Sequence, residues 1–167
     1  MAKKAADPLP HFDSDGRPRM VDVSHKQSTA RTAVATGFVR MSAEALEVVS
    51  TQSGKKGNAA AVAELAGVMA AKRTAELIPL CHPLALTNAQ VEASVDETAG
   101  GVRVIARVQT TGPTGVEMEA LTAASIACLT LYDMLKSIDR SMVIECIQLV
   151  EKSGGSSGHF KKGSRGA

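Results

Sequence analysis

Asp133 and Lys136 stand three residues apart in LYDMLK, so on a helix they are side-by-side neighbours, a carboxylate and an ammonium placed to exchange protons with a common ligand. The same spacing also makes a plain surface ion pair, and pattern alone does not separate the two readings. Glu119 shares the stripe with Ile126, Asp133 and Lys136, and with Glu117 it lies in the first helical turn, where the macrodipole favours negative charge. His82 is held between Pro79 and Pro83 in LIPLCHPLAL. It is either a packed imidazole or a positioned acid, base or ligand contact. The cations are scattered: Lys26 and Arg31 flank HKQSTAR, Lys55 and Lys56 sit in a polar loop, Lys72 and Arg73 close a helix, and Lys152 adjoins a glycine-rich tail. Solvation, helix capping and a linker are the neutral accounts of these groups, and anion binding is the functional one.

The elements that must position these residues follow from pattern and punctuation. Gly112, Pro113 and Gly115 mark a turn that aims the chain into a long helix ending at Lys136, with Leu121, Cys128, Leu131 and Leu135 as its core stripe and small Ala124 and Ser125 between them. Asn58 is the expected N-cap of a second helix, Ala59 to about Arg73, with Val62, Leu65, Ala66 and Met69 as its apolar face. Ser42 caps a shorter one, Ala43 to Val49. Strands are expected at Met20 to Val23, Thr32 to Met41, around Val91 to Val95, at Val102 to Val108, and at Met142 to Val150 with Val143, Ile147 and Leu149 on one face. Thr98 to Gly101 joins two of them as a hairpin. Prolines 79 and 83 make Leu77 to Leu86 a shaped loop.

From Thr32 onward the order is strand, helix, strand, strand, helix, strand, which specifies an α+β fold: a ferredoxin-like split βαβ with an antiparallel sheet and an extra N-terminal strand. Residues 1–19 read as a mobile arm, 20–158 as a single catalytic domain and 159–167 as a flexible tail. At 167 residues, one domain can bury about two thirds of its unfolded surface. With 2% aromatic residues the core must be aliphatic, and a base-stacking nucleic-acid surface is excluded; a net charge of +2 is too balanced for a general nucleic-acid binder. Cys81, Cys128 and Cys146 have no metal-ligand spacing and are odd in number, pointing to a reducing cytoplasm, and no apolar run is expected to span a membrane.

Taken together, LIPLCHPLALT, TGVEMEALTAASIACLTLYDMLK and VEKSGGSSG resemble the cyclic pyranopterin monophosphate synthase family, molybdenum cofactor biosynthesis protein C. The resemblance runs from about Met20 to Gly158 and includes MVDVSHKQSTARTAVATGFVRM and AGVMAAKRTAELI. It implies a homohexamer built as a trimer of dimers, with sites at the dimer interface. It also implies conversion of (8S)-3',8-cyclo-7,8-dihydroguanosine 5'-triphosphate to cyclic pyranopterin monophosphate and pyrophosphate, a phosphorus–oxygen lyase reaction. Carried over by residue, it makes Asp133, Lys136 and Lys56 catalytic and puts substrate contacts at Leu80, Cys81, His82, Met118 and Glu119. Lys26, Arg31, Arg73 and Lys152 match basic positions suited to the triphosphate. No protein-bound cofactor or metal is implied, with Mg²⁺ only as a companion of the triphosphate. Pro113 and Ser156 stand where the family pattern carries lysine, and Asn58 where aspartate is frequent. Two other classes compete: a regulatory ligand-binding module, which would not need Asp133 and Lys136 for turnover, and an RNA-binding module, which would need sheet aromatics that are lacking.

Overall fold

The computed structural model describes residues 11–54, 57–155 and 158–163. Five antiparallel strands form one sheet: β1 (Thr29–Arg40), β2 (Leu86–Asp96), β3 (Gly101–Gly112), β4 (Val143–Ser153) and β5 (Phe160–Lys161), in the order β2-β3-β1-β4-β5. The helices are α1 (Ala43–Thr51), α2 (Ala59–Lys72), the single-turn α3 (Thr74–Leu77) and α4 (Glu117–Leu135). Without β5, the strand order is that of the split βαβ, and α2 and α4 pack together over one face of the sheet. The fold is α+β and ferredoxin-like.

Both expected N-caps form: Ser42 Oγ accepts from the Ala45 amide at 3.2 Å, and Asn58 Oδ1 accepts from the Ala61 amide at 3.1 Å. The expected strand at Met20 to Val23 does not form. There the backbone turns instead: Asp22 Oδ1 accepts from the Ser24 amide at 2.9 Å, and the Val23 carbonyl accepts from the Lys26 amide at 3.0 Å. Such local bonds compete with a sheet ladder. The fifth strand comes from the other terminus, where Phe160 and Lys161 pair with Lys152 and Glu151. Of the segment read as an arm, residues 11–19 close a turn through a Phe12–Pro18 bridge, and residues 1–10 lie outside the described residues.

The apolar face assigned to α2 is inverted. Leu65, Met69 and Val62 are 61%, 48% and 41% exposed, whereas Ala59, Ala63, Gly67, Ala70 and Ala71 are buried. The reason is close approach: a Cβ on Gly67 would lie 2.9 Å from the Ala123 carbonyl oxygen and 3.0 Å from a Val91 methyl. Only small residues fit there, so the larger ones turn outward. In α4 the same logic buries Ala120, Ala123, Ala124 and Ala127 beside Cys128, Leu131 and Leu135, leaving Leu121 only partly buried. By length and composition α4 is apolar enough to cross a membrane, contrary to expectation; in this fold that apolarity packs on the sheet and α2.

In β4 the expected alternation breaks at a bulge. The register against β1 shifts between Thr36 and Phe38, and Cys146 takes φ 56°. The extra residue changes parity, so Ile144 before it and Ile147 and Leu149 after it pack on the core, while Val143 is left exposed.

Because its Cβ would meet backbone rather than a yielding side chain, Gly67→Ala is expected to destabilise the fold by about 1–2 kcal/mol despite alanine's higher helix propensity. Urea unfolding measures this, and an unchanged or raised midpoint would contradict the packing account.

Candidate functional site at the N-terminal end of α4

The turn Gly112–Gly115 and the first turn of α4 form one wall of a two-part cleft. A pocket of about 180 Å³ collects Lys26, Arg31 and Lys152 around Pro113, Thr114, Gly115 and Glu117. It adjoins a larger one of about 470 Å³ lined by Val21, Val23, Leu80, Cys81, His82, Met118 and Glu119. Lys26, Thr114, Gly115 and Glu117 line both, so the two are continuous. One end is cationic and narrow; the other is wider and mixes apolar walls with a few polar groups.

The cations converge because strand pairing brings distant segments together. Arg31 projects from β1, and Lys152 enters from β4, where it pairs with Ala33. Arg31 Nη2 donates to the Pro113 carbonyl at 3.3 Å, and its buried Nε has no hydrogen-bond partner among the described residues. Gly154 and Gly155, at φ 97° and 73°, let the chain after β4 fold against the Arg31 guanidinium, where a side chain on Gly155 would collide with it. Lys152 Nζ lies 3.1 Å from Glu117 Oε1.

At the wider end, His82 is neither simply packed nor free. Its Nε2 lies 2.7 Å from the Val21 carbonyl oxygen, which can only accept, so Nε2 carries the proton and Nδ1 is left for other contacts. The bond also holds the N-terminal segment against the cleft. Glu119, expected on the stripe it shares with Ile126, Asp133 and Lys136, is buried at 4% exposure; burial first, and then the nearby Glu117 charge, raise its carboxyl pKa above the ordinary value. Burial, followed by the Glu119 charge, likewise raises the Cys81 thiol above its ordinary value, which disfavours the thiolate.

Three expected site residues lie elsewhere. Arg73 caps α2 and lines an adjoining cavity of about 350 Å³ that shares His82, Leu84 and Glu119 with the wider part of the cleft but none of its cations. Asp133 and Lys136 form an exposed ion pair, 2.7 Å between Oδ1 and Nζ, at the opposite end of α4. Fourteen residues of helical rise put Asp133 about 21 Å from Glu119, with Lys136 farther still. Beside them Gly54, Gly57, Ala59, Met134, Leu135, Ser137 and Ile138 line a depression of about 370 Å³. Lys56 and Ser156 lie outside the described residues. Asp139 anchors this end: its carboxylate accepts from the Ser42 amide at 2.8 Å and from the Ser141 amide and hydroxyl at 2.8 and 2.6 Å, and these bonds, led by the Ser141 hydroxyl, lower its pKa.

A model of the MoaC family matches residues 20–155. The chain belongs to the MoaC family. Among curated relatives, this MoaC-family chain is 56% identical over 157 residues to the cyclic pyranopterin monophosphate synthase of Parvibaculum lavamentivorans, covering 94% of this chain and 98% of the relative. It is 56% identical over 153 residues to the protein of the same name from Cereibacter sphaeroides, covering 92% and 96%. The matched region contains both parts of the cleft and the Asp133–Lys136 pair.

Sequence reasoning missed Glu117, Thr114 and Val21 as parts of this MoaC-family cleft. Glu117 had a signal, since it follows a Gly-Pro-Thr-Gly turn two residues before Glu119; Val21 had none, because its role is a backbone carbonyl.

Glu119 generates a pH-dependent expectation. Its folded pKa is raised, so above the ordinary glutamate value of 4.5 the unfolded chain ionises this group while the fold resists doing so. Glu119→Gln should therefore be more stable than wild type at neutral pH, with the gain vanishing as pH falls below that value. Urea midpoints across pH test this, and a gain that persists in acid would refute the burial account.

Proposed function

We infer that this chain is a cyclic pyranopterin monophosphate synthase, acting in molybdenum cofactor biosynthesis on (8S)-3',8-cyclo-7,8-dihydroguanosine 5'-triphosphate. The observation that carries the reading is the continuity of the cleft, whose cationic end suits a triphosphate and whose wider end suits a pterin base. Product formation requires a sugar hydroxyl to attack the phosphorus nearest the sugar and pyrophosphate to leave. Arg31, Lys26 and Lys152 are assigned to neutralising charge on the departing pyrophosphate. Mg²⁺ is assigned to the triphosphate as part of the substrate. The Nδ1 of His82, the Cys81 and Leu80 segment, Met118 and Glu119 are assigned to the base.

Asp133, Lys136 and Lys56 are assigned to the proton transfers of ring rearrangement. One compact ligand cannot reach both ends of α4 in one chain, so the working site takes the start of one α4 and the end of another. A two-fold axis does this twice over. The outward-facing Val62, Leu65 and Met69 of α2, with Leu129 of α4, supply apolar surface for such a contact. Three such dimers make the proposed homohexamer. Arg73 is assigned to the same anion through this assembly. The three free cysteines, one of them exposed, accord with a cytoplasmic location.

A coupled assay reading pyrophosphate and pterin product together tests the activity, and binding without either product would favour the regulatory module. Asp133→Asn, Lys136→Ala and Lys56→Ala should each lower turnover by about 10²-fold or more with unchanged melting temperature. Near-normal turnover in all three would overturn the catalytic assignment.

Subunit mixing tests the shared site. Random exchange between inactive Glu119→Ala and Asp133→Asn variants makes half the dimers mixed, each with one site free of both changes, so recovery should approach about a quarter of wild-type activity. Demonstrated mixed dimers that stay inactive would count against the arrangement.

A further inference from the structure

The cationic pocket already contains an anion of its own. Glu117 Oε1 lies 3.1 Å from Lys152 Nζ, with the two side chains 31% and 24% exposed, so one of the pocket's three cations is neutralised internally. The carboxylate reaches that position by folding back over Gly115. A Cβ at residue 115 would come within 2.7 Å of Glu117 Cδ and closer still to Oε2. Gly115 has no positive φ, so its backbone does not demand glycine; the atoms nearest to a Cβ there are those of the flexible Glu117 carboxylate, which a side chain at 115 would push aside. Arg31 is the contrasting neighbour, with its buried Nε unpartnered and its Nη2 on a carbonyl rather than a carboxylate.

We propose that Glu117 is a displaceable countercharge that sets an affinity threshold for anions at this cleft: a ligand gains Lys152 only by expelling the carboxylate. A phosphate oxygen and Glu117 cannot share Lys152 without like-charge repulsion. A chain of phosphates that engages Lys26, Arg31 and Lys152 together offsets the lost pair. A single phosphate makes too few of these contacts and is turned away. Glu117 thus raises the dissociation constant of every anion that takes Lys152, which keeps weakly bound monophosphates from occupying the cleft while a polyphosphate still binds. The inference rests on the assignment of the cationic end to a polyphosphate.

Calorimetric titration with tripolyphosphate and with orthophosphate tests it in wild type, Glu117→Gln, Gly115→Ala, their combination, and Lys152→Ala. Glu117→Gln should bind tripolyphosphate about three- to tenfold more tightly and orthophosphate more tightly by no more than the same factor, because every ligand that takes Lys152 meets the same cost of expelling the carboxylate. Gly115→Ala retains the carboxylate but displaces it from its fold-back position, and should tighten binding in the same direction. The double variant should bind no more tightly than Glu117→Gln alone, because both changes act through one contact. Weakening by Lys152→Ala, with Glu117→Gln and Gly115→Ala no tighter than wild type, would overturn the countercharge and leave the polyphosphate assignment standing. Tripolyphosphate binding indifferent to Lys152→Ala, or absent from every variant, would overturn both.

Discussion

The close approach of α4 to α2 and to the sheet is the constraint on which the rest of this molecule depends. It is made through alanine and glycine: Gly67 leaves no room for a Cβ beneath the Ala123 carbonyl, and Ala120, Ala123, Ala124 and Ala127 are fully buried. Packing of this kind draws on dispersion and tight fit as much as on large apolar side chains, which suits a chain with almost no aromatic residues. Seating α4 this deeply buries Glu119 in its first turn and brings Glu117 level with Lys152 of β4. The large side chains excluded from the contact are then displayed outward, where they can serve assembly.

Around that helix start, charge is distributed unevenly. Cations come from the N-terminal segment, β1 and β4, so no single stretch of chain is strongly basic and the net charge stays near balance. The neighbouring carboxylates are treated in opposite ways: Glu119 is desolvated and resists ionisation, whereas Glu117 is paired with Lys152. Two acids separated by one residue thus serve two environments, one facing the apolar end of the cleft and one the cationic end. His82 adds a mechanical link, tying the proline-framed loop to the Val21 backbone.

The two ends of α4 differ in kind. The first turn is walled in by β-strand ends, the Gly112–Gly115 turn and the N-terminal segment, whereas Asp133 and Lys136 stand on an exposed final turn braced by Asp139. A rigid helix holds these ends about 21 Å apart, which is why a symmetric pairing of helices is an economical way to unite them.

Much of this was legible in the sequence. Local chemistry determined the caps at Ser42 and Asn58, the hairpin near Gly100, the turn before α4 and the order of elements, because side-chain hydrogen bonds and backbone preference act over a few residues. Specific motifs carried the family and most of the cleft residues. Periodicity failed where packing distance overrode hydrophobic rank: Val62, Leu65 and Met69 looked like the inner face of α2, yet only Ala63 and Gly67 fit against α4. It failed again where a bulge at Cys146 put Val143 on the opposite face from Ile147 and Leu149, and where an Asx turn at Asp22 displaced a strand. The meeting of Arg31, Lys152 and Glu117, the burial of Glu119 and the separation of Arg73 from the other cations were decided only by tertiary structure. Each depends on strand register and helix depth, which arise from contacts between residues far apart in the chain.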